Sequence, residues 1–332
     1  MSLQDESLGF SVDDAVRIAR ETYGLSAMAT DLPGYEDRNF RLTTSEGTFV
    51  LKIAGVAGSC AELELQDRAF IHLHDAGIAG PRLRASQEGE RVPHVRSRAG
   101  RSCPARLLSW VEGTPYARCT ERPGELPRSF GAFLATLDAA LASFEHPAAK
   151  RDLDWDFSNA LRSLQYIEYI ASAQRRRLVE RCFLRFEERC ATALDALPQQ
   201  VIHNDANDHN VLVKDGRVVA IIDFGDMLHT ARVGDPAIAL SYLMLKVDDP
   251  YSPARAFLEG YRNVVELESG ELNQLADLIA LRLAISVVGS TRAKRERPDD
   301  PYLNATEPHA WKLLERLANV SSAELTDRLL SP

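Results

Sequence analysis

Between Val201 and Asp226 the chain reads Val201-Ile-His203-Asn-Asp205-Ala-Asn207-Asp-His-Asn210-Val-Leu-Val213, then a polar turn Lys214-Asp215-Gly216-Arg217. An apolar run from Val218 to Ile222 follows and ends in Asp223-Phe224-Gly225-Asp226. Two carboxylates and an amide in this order suit phosphoryl transfer from a nucleotide. One carboxylate, Asp205, would accept or orient the proton of an attacking hydroxyl, while Asn210 and Asp223 would hold Mg2+ on the triphosphate. Mg2+ takes hard oxygen ligands and keeps several waters, so one Asn and one Asp suffice beside the phosphates.

The elements that must position these groups are legible around them. Two short β-branched runs joined through Asp215-Gly216 predict a hairpin, with Asp205 in the loop before its first strand and Asp223 at the exit of its second. His203-x-Asp205-x4-Asn210 followed by Asp223-Phe-Gly matches the spacing of a kinase catalytic loop and metal loop. His203 is expected to brace the loop by hydrogen bonds. Asn204 stands where protein kinases carry an arginine used in regulation, and no Ala-Pro-Glu-like sequence follows, which points away from a protein kinase. Asp226 is either a further metal or substrate carboxylate or a turn cap.

These residues, His203-Asn-Asp205-x-Asn-Asp-His-Asn210 with Ile222-Asp223-Phe-Gly-Asp226, resemble the aminoglycoside phosphotransferase superfamily of small-molecule kinases. The Asn207-Asp208-x-Asn210 variant and Asp223-Phe-Gly-Asp-Met227 are most similar to its hydroxylysine kinase branch and to kinase portions fused to class III aminotransferases. The resemblance implies an α+β, two-lobed, protein-kinase-like fold: a small antiparallel-sheet N-lobe over residues 1–112 and a mainly helical C-lobe over 113–332. It also implies ATP and Mg2+ as cofactors, with the nucleotide between the lobes.

Upstream, Ser11 with Asp14 three residues on opens an amphipathic helix, Val12 to Tyr23, that Gly24 ends. A strand, turn, strand pattern then runs from Leu32 to Ile53. The Gly34 to Asn39 turn resembles the Gly-x-x-x-x-Asn turn with which the superfamily covers the phosphates. Lys52 alternates with apolar Leu51 and Ile53, so it faces away from them. Val50-Leu-Lys52-Ile53 resembles the kinase strand whose lysine binds the α- and β-phosphates. Its acidic partner belongs on the helix from Cys60 to Ala76, where Glu62, Glu64 and Gln66 compete; Glu64 is the first choice. Pro104 to Val111 reads as the last strand of the lobe, broken by Glu112-Gly113-Thr-Pro115. Main-chain groups of Ser109 and Val111 are the candidates for the adenine.

Beyond Pro127 the pattern is helical: Phe130 to Phe144, Ser158 to Ser172, Arg175 to Ala196, then Ala237 to Leu245 with Asp235 as N-cap and Pro236 at the first helical position. Asp235-Pro236 also resembles the superfamily element that braces the catalytic loop. Glu259, Tyr261, Arg282 and Tyr302 stand on the last helices as candidates for acceptor contact.

The chain has 332 residues, 45% hydrophobic and 26% charged, enough for a sizeable core. A net charge of −9 disfavours a nucleic-acid surface. Arg91, Arg96, Arg98 and Arg101 lack interleaved aromatics and read as a solvated hairpin. Five cysteines without C-x-x-C spacing fit free thiols in a reducing, cytoplasmic setting. The first residues are acidic and lack a signal peptide's apolar region. Leu275 to Gly289 is apolar but interrupted by Asp277 and Arg282, so a buried helix rather than a membrane span is expected. The acceptor is expected to be a small hydroxylated amine or amino acid, hydroxylysine first; homoserine, choline or ethanolamine, or an aminoglycoside are the alternatives. A nucleotide-binding pseudokinase is the rival class, and the intact Lys52, Asp205, Asn210 and Asp223 argue against it.

Overall fold

Ser11 begins the first helix, α1 (Val12–Tyr23), by a reciprocal cap: its hydroxyl accepts from the Asp14 N–H while the Asp14 carboxylate accepts from the Ser11 N–H at 3.1 Å. Gly24, left-handed at φ 70°, closes the helix, because only glycine takes that conformation without a Cβ penalty. The structure is a computed structural model that describes residues 9–331 other than 35–36, 56–59, 99, 121–123 and 297–300. Its internal contacts divide the chain into two units, Met1–Glu112 and Gly113–Pro332.

In the first unit, β1 (Ala27–Leu32), β2 (Arg38–Thr44) and β3 (Gly47–Ile53) form an antiparallel meander. After α2 (Cys60–Asp75) come β4 (Leu83–Arg84), β5 (His94–Arg96) and β6 (Ser102–Ser109), giving the order β1-β2-β3-β6-β4 with β5 also on β6. The last strand thus ends at Ser109, two residues short of the expected Val111. Phe40, Leu42, Leu51, Ile53 and Leu107 point to one face and bury themselves against Ile18 and Tyr23 of α1. The opposite face carries a polar row: Asn39 pairs with Lys52, and Lys52 with Arg106. Arg106 is buried, and its guanidinium docks α2 by reaching Gln66 Oε1 at 2.8 Å and Asp67 Oδ1 at 3.3 Å.

The second unit is mainly helical, with α3 (Glu125–Leu141), α4 (Ala173–Arg189), α5 (Gly234–Leu243), α6 (Tyr251–Arg262), α7 (Ser269–Glu296), α8 (Pro301–Leu317) and α9 (Ser322–Leu330). Small strands interrupt it. β7 (Thr114–Pro115) and β10 (Arg217–Ile221) flank β9 (Val211–Lys214), while β8 (Gln199–Ile202) pairs with β11 (Leu228–Ala231). The expected β9–β10 hairpin is present, and Asp215 (φ 51°) and Gly216 (φ 74°) supply the two left-handed residues of its turn.

Helices α3 and α6 cross at two glycines. A Cβ on Gly131 would lie 1.9 Å from Phe257 O, and one on Gly260 would lie 2.0 Å from Arg128 O, so neither position has room for a side chain. α7 is long and apolar enough to cross a bilayer by composition, but 72% of its apolar window is buried inside this unit. Two of its carboxylates are paired with arginines: Glu271 with Arg232 at 2.5 Å and Asp277 with Arg189 at 2.8 Å.

Two expected helices differ. The segment Phe157–Tyr169 winds as 3-10 helix, capped by Asp156 on the Ser158 N–H. α4 stops at Arg189 rather than Ala196, and Leu194–Ala196 winds as a separate short 3-10 piece ahead of Pro198. Among the cysteines, Cys60 is exposed, Cys103 and Cys190 are buried, Cys119 and Cys182 are half-buried, and all five are free thiols.

Candidate active site

The loop from His203 to Asn210 hangs between β8 and β9 and is held from below by α5. Asp235, expected to cap its own helix, lies inside α5, which starts one residue earlier at Gly234. Its carboxylate is turned instead to the loop, accepting from the His203 N–H at 2.8 Å and the Asn204 N–H at 2.7 Å. Two backbone amides in a dry site are better donors for this anion than a helix terminus that already carries proline, so bracing wins over capping. Asn204 takes the left-handed conformation, φ 63°, which asparagine tolerates better than most side chains.

His203 is fully buried. Its Nδ1 accepts from the Asp205 N–H at 3.2 Å, which leaves Nε2 as the protonated nitrogen, 3.1 Å from Ile222 O. Burial lowers the pKa of this imidazole, in keeping with a neutral brace. The ring also meets Phe224 edge-on at 4.6 Å between centroids. One side chain thereby ties the loop of Asp205 to the Asp223-Phe-Gly segment.

Around Asp205, Oδ2 accepts from Asn207 Nδ2 at 2.9 Å and Asn210 Nδ2 at 2.8 Å, and Oδ1 accepts from Arg282 Nη2 at 3.2 Å. The Asp205 side chain keeps 22% of its surface exposed, so it is not sealed from solvent. Burial pushes its pKa up to about 7; Arg282 opposes that shift, and the negative charges of Asp226 and Asp223 add to it.

Asn210 spends its amide N–H groups on Asp205, so its side-chain oxygen is presented on the other side. Its backbone oxygen accepts from the Ile222 N–H at 2.8 Å, which sets Asn210 beside the residue preceding Asp223. Asp223 is exposed and left-handed, φ 66°. Two hard oxygens from adjacent strand ends fit a small divalent cation that retains water and phosphate oxygens as its other ligands. No cluster of three or more His, Cys, Asp or Glu with metal-site geometry occurs among the described residues.

Arg282 was a candidate only for acceptor contact, and its place against Asp205 was not foreseen. It comes from α7, 77 residues away, is almost wholly buried, and lies over the rings of Trp155 at 5.6 Å and Tyr242 at 5.8 Å. Of the other acceptor candidates, Glu259 pairs with Arg128 at 2.5 Å, and buried Tyr261 donates to Asp138 at 2.5 Å. The side chain of Tyr302 lies outside the described residues.

In the first unit, Lys52 Nζ lies 3.7 Å from Asp37 Oδ2 on the polar face of the sheet. Glu64, the first choice as its partner, instead sits 3.8 Å from Arg68 with most of its side chain in solvent. The i,i+4 spacing on one helical face accounts for that pairing. Gln66 is committed to Arg106. Gly34 is required by its surroundings, since a Cβ there would meet Asp37 O at 2.3 Å and Asn39 Nδ2 at 2.6 Å. Asn39 closes the segment by donating to Pro33 O at 3.2 Å. Tyr35 and Glu36, within this turn, lie outside the described residues. The Ser109 N–H, one of the adenine candidates, is already bonded to Arg82 O at 2.8 Å.

Residues 29–272 match the phosphotransferase enzyme family. The chain belongs to that family. It is 27% identical to hydroxylysine kinase of Mus musculus over 86% of this chain and 83% of the relative. It is 28% identical to homoserine kinase of Parvibaculum lavamentivorans over 73% of each. Among solved structures, an amicoumacin kinase in complex with AMP-PNP and Ca2+ shares the fold, with a TM-score of 0.71 and 19% identity over 95% of this chain and 96% of that one. The family member described here is a small-molecule kinase with a protein-kinase-like α+β fold.

Proposed function

We propose that this kinase moves the γ-phosphate of ATP to a hydroxyl of a small amine or amino acid, with hydroxylysine as the first acceptor to test. The observation that carries the reading is the Asp205 carboxylate, oriented by Asn207, Asn210 and Arg282 and still open to solvent. Asp205 orients the acceptor hydroxyl and takes its proton as the oxygen–phosphorus bond forms and ADP leaves. Lys52 steadies the non-transferred phosphates, the Gly34–Asn39 segment covers them, and Val111 and Ser109 meet the adenine. Asn210 and Asp223 hold Mg2+, which neutralises phosphate charge when bound. Catalysis on this scheme is positioning plus charge neutralisation, without a covalent intermediate. A cytoplasmic setting, where ATP and Mg2+ are available, accords with five free thiols.

The acceptor class draws support from the relatives, since hydroxylysine and homoserine kinases are named for hydroxylated amino acids. A coupled ADP-release assay over hydroxylysine, homoserine, choline, ethanolamine and an aminoglycoside tests it, with Asp205→Asn alongside. Hydroxylysine should give the highest kcat/KM. Asp205→Asn should lower kcat by about 10²- to 10⁴-fold with nucleotide affinity kept. Full activity in that variant removes Asp205 as the base, and preference for choline or an aminoglycoside replaces the amino-acid acceptor.

A further inference from the structure

Beneath the catalytic loop lies a second pair of carboxyl groups that the phosphoryl-transfer scheme does not use. Asp138 of α3 and Asp235 of α5 are both fully buried and are hydrogen-bonded to each other. Their remaining partners differ in kind. Asp235 accepts two backbone amides, from His203 and Asn204, a setting that favours the ionised form. Asp138 accepts on Oδ2 from the Tyr261 hydroxyl, and no N–H or O–H of a described residue other than a shared carboxyl proton reaches its Oδ1. Two carboxylates in contact in a dry interior cannot both be charged. The nearby cation offsets this only in small part: Arg232 favours the charged form of Asp138 but is itself paired with Glu271 at 3.1 and 2.5 Å. His203 is a neutral brace bonded to Ile222, and Gln200 donates to the Asp138 backbone oxygen at 2.7 Å rather than to its carboxyl.

We propose that Asp138 is a neutral carboxylic acid that donates its proton to Asp235, and that this acid–carboxylate pair sets the height of the loop carrying Asp205. Asp138 is thus a positioning residue. It acts through Asp235 and touches no reacting atom. The titration directions agree with the geometry: burial raises both groups, Asp138 well above the ordinary carboxylate range. Burial likewise raises the Tyr261 phenol well above its ordinary value, so it remains a donor. Asp235 without this donor would keep its charge with less support and would shift toward the amides or take up a proton itself, and either change moves His203 and Asn204.

The test compares Asp138→Asn, whose amide keeps a donor, with Asp138→Leu, which has none. Infrared difference spectra of wild type minus D138N at about pH 8, far above the ordinary carboxylate pKa, should show a protonated carboxyl band. In the ADP-release assay with hydroxylysine, D138N should stay within about threefold of the wild-type kcat. D138L should lose tenfold or more in kcat with the KM for ATP held within about threefold. Stability carries a sign of its own. Folded Asp138 keeps a proton that the unfolded chain releases above about pH 4, so the wild type loses stability relative to D138N as pH rises from there, by up to about tenfold in unfolding constant per pH unit.

Absence of the band, equal pH slopes, or D138N as impaired as D138L overturns the proposal. If D138L fails to fold, the band and the D138N slope still decide it. The kinetic arm rests on the proposed acceptor. A wild type that does not turn over hydroxylysine refutes that acceptor while leaving the spectroscopic and stability arms intact.

Discussion

Arg282 shows what one side chain from a distant helix does to the carboxylate proposed as the base. Its guanidinium holds one oxygen of Asp205 while two asparagine amides hold the other, so the carboxylate is fixed in rotation. Arg282→Met keeps much of the stem that packs on Trp155 and Tyr242 but removes the charge and the donor. The expected result is a kcat lower by about 10- to 100-fold with a nearly normal KM for ATP, measured by ADP release, because a misaligned base costs rate rather than nucleotide affinity. The acidic and amide residues of this site were legible in sequence because their spacing is local: Asp205 to Asn210 is five residues, and Asp223 ends the next strand. Arg282 was not, since periodicity places it on an apolar helix without saying which carboxylate that helix face meets. The same limit applies to Glu64, where several acidic positions on one helix compete and only packing shows that Arg106 takes Gln66 and Asp67.

Among the elements, the α3–α6 crossing is the least forgiving. Backbone meets backbone at Gly131 and Gly260, and α3 also carries Asp138 while α6 carries Tyr261. Gly131→Ala should destabilise the protein by about 1–3 kcal/mol or more through overpacking, read as a lower denaturation midpoint with an unchanged denaturant slope. Nothing in the local pattern announced this contact, because a glycine inside a helix reads as a weak point until its neighbour is known. By contrast, α1 was legible to the residue: Ser11, Asp14 and Gly24 state their own capping chemistry. The β9–β10 hairpin was equally plain in Asp215-Gly216. Asp235 was half legible. Its bracing role was expected, whereas its place within α5 rather than at the cap depends on which donors it meets in three dimensions.

For the molecule as a whole, a ligand that binds only the folded chain stabilises it by linkage, so Mg·ATP, on the proposed function, should raise its stability. At about 100 times Kd the gain is about 2.7 kcal/mol, read as a rise in midpoint in thermal or chemical unfolding. Lys52→Met should shrink that gain at fixed ATP, while Asp205→Asn should retain it, which separates nucleotide holding from proton handling. The distribution of thiols adds a practical handle. Burial pushes the Cys182 and Cys190 thiols up to about 11 and about 12, which keeps both protonated at neutral pH. Cys60, at the first turn of α2, is open to solvent. Brief treatment with a maleimide dye should therefore mark the unmodified enzyme at Cys60 ahead of the buried Cys103 and Cys190, giving a site-selective label without engineering a single codon.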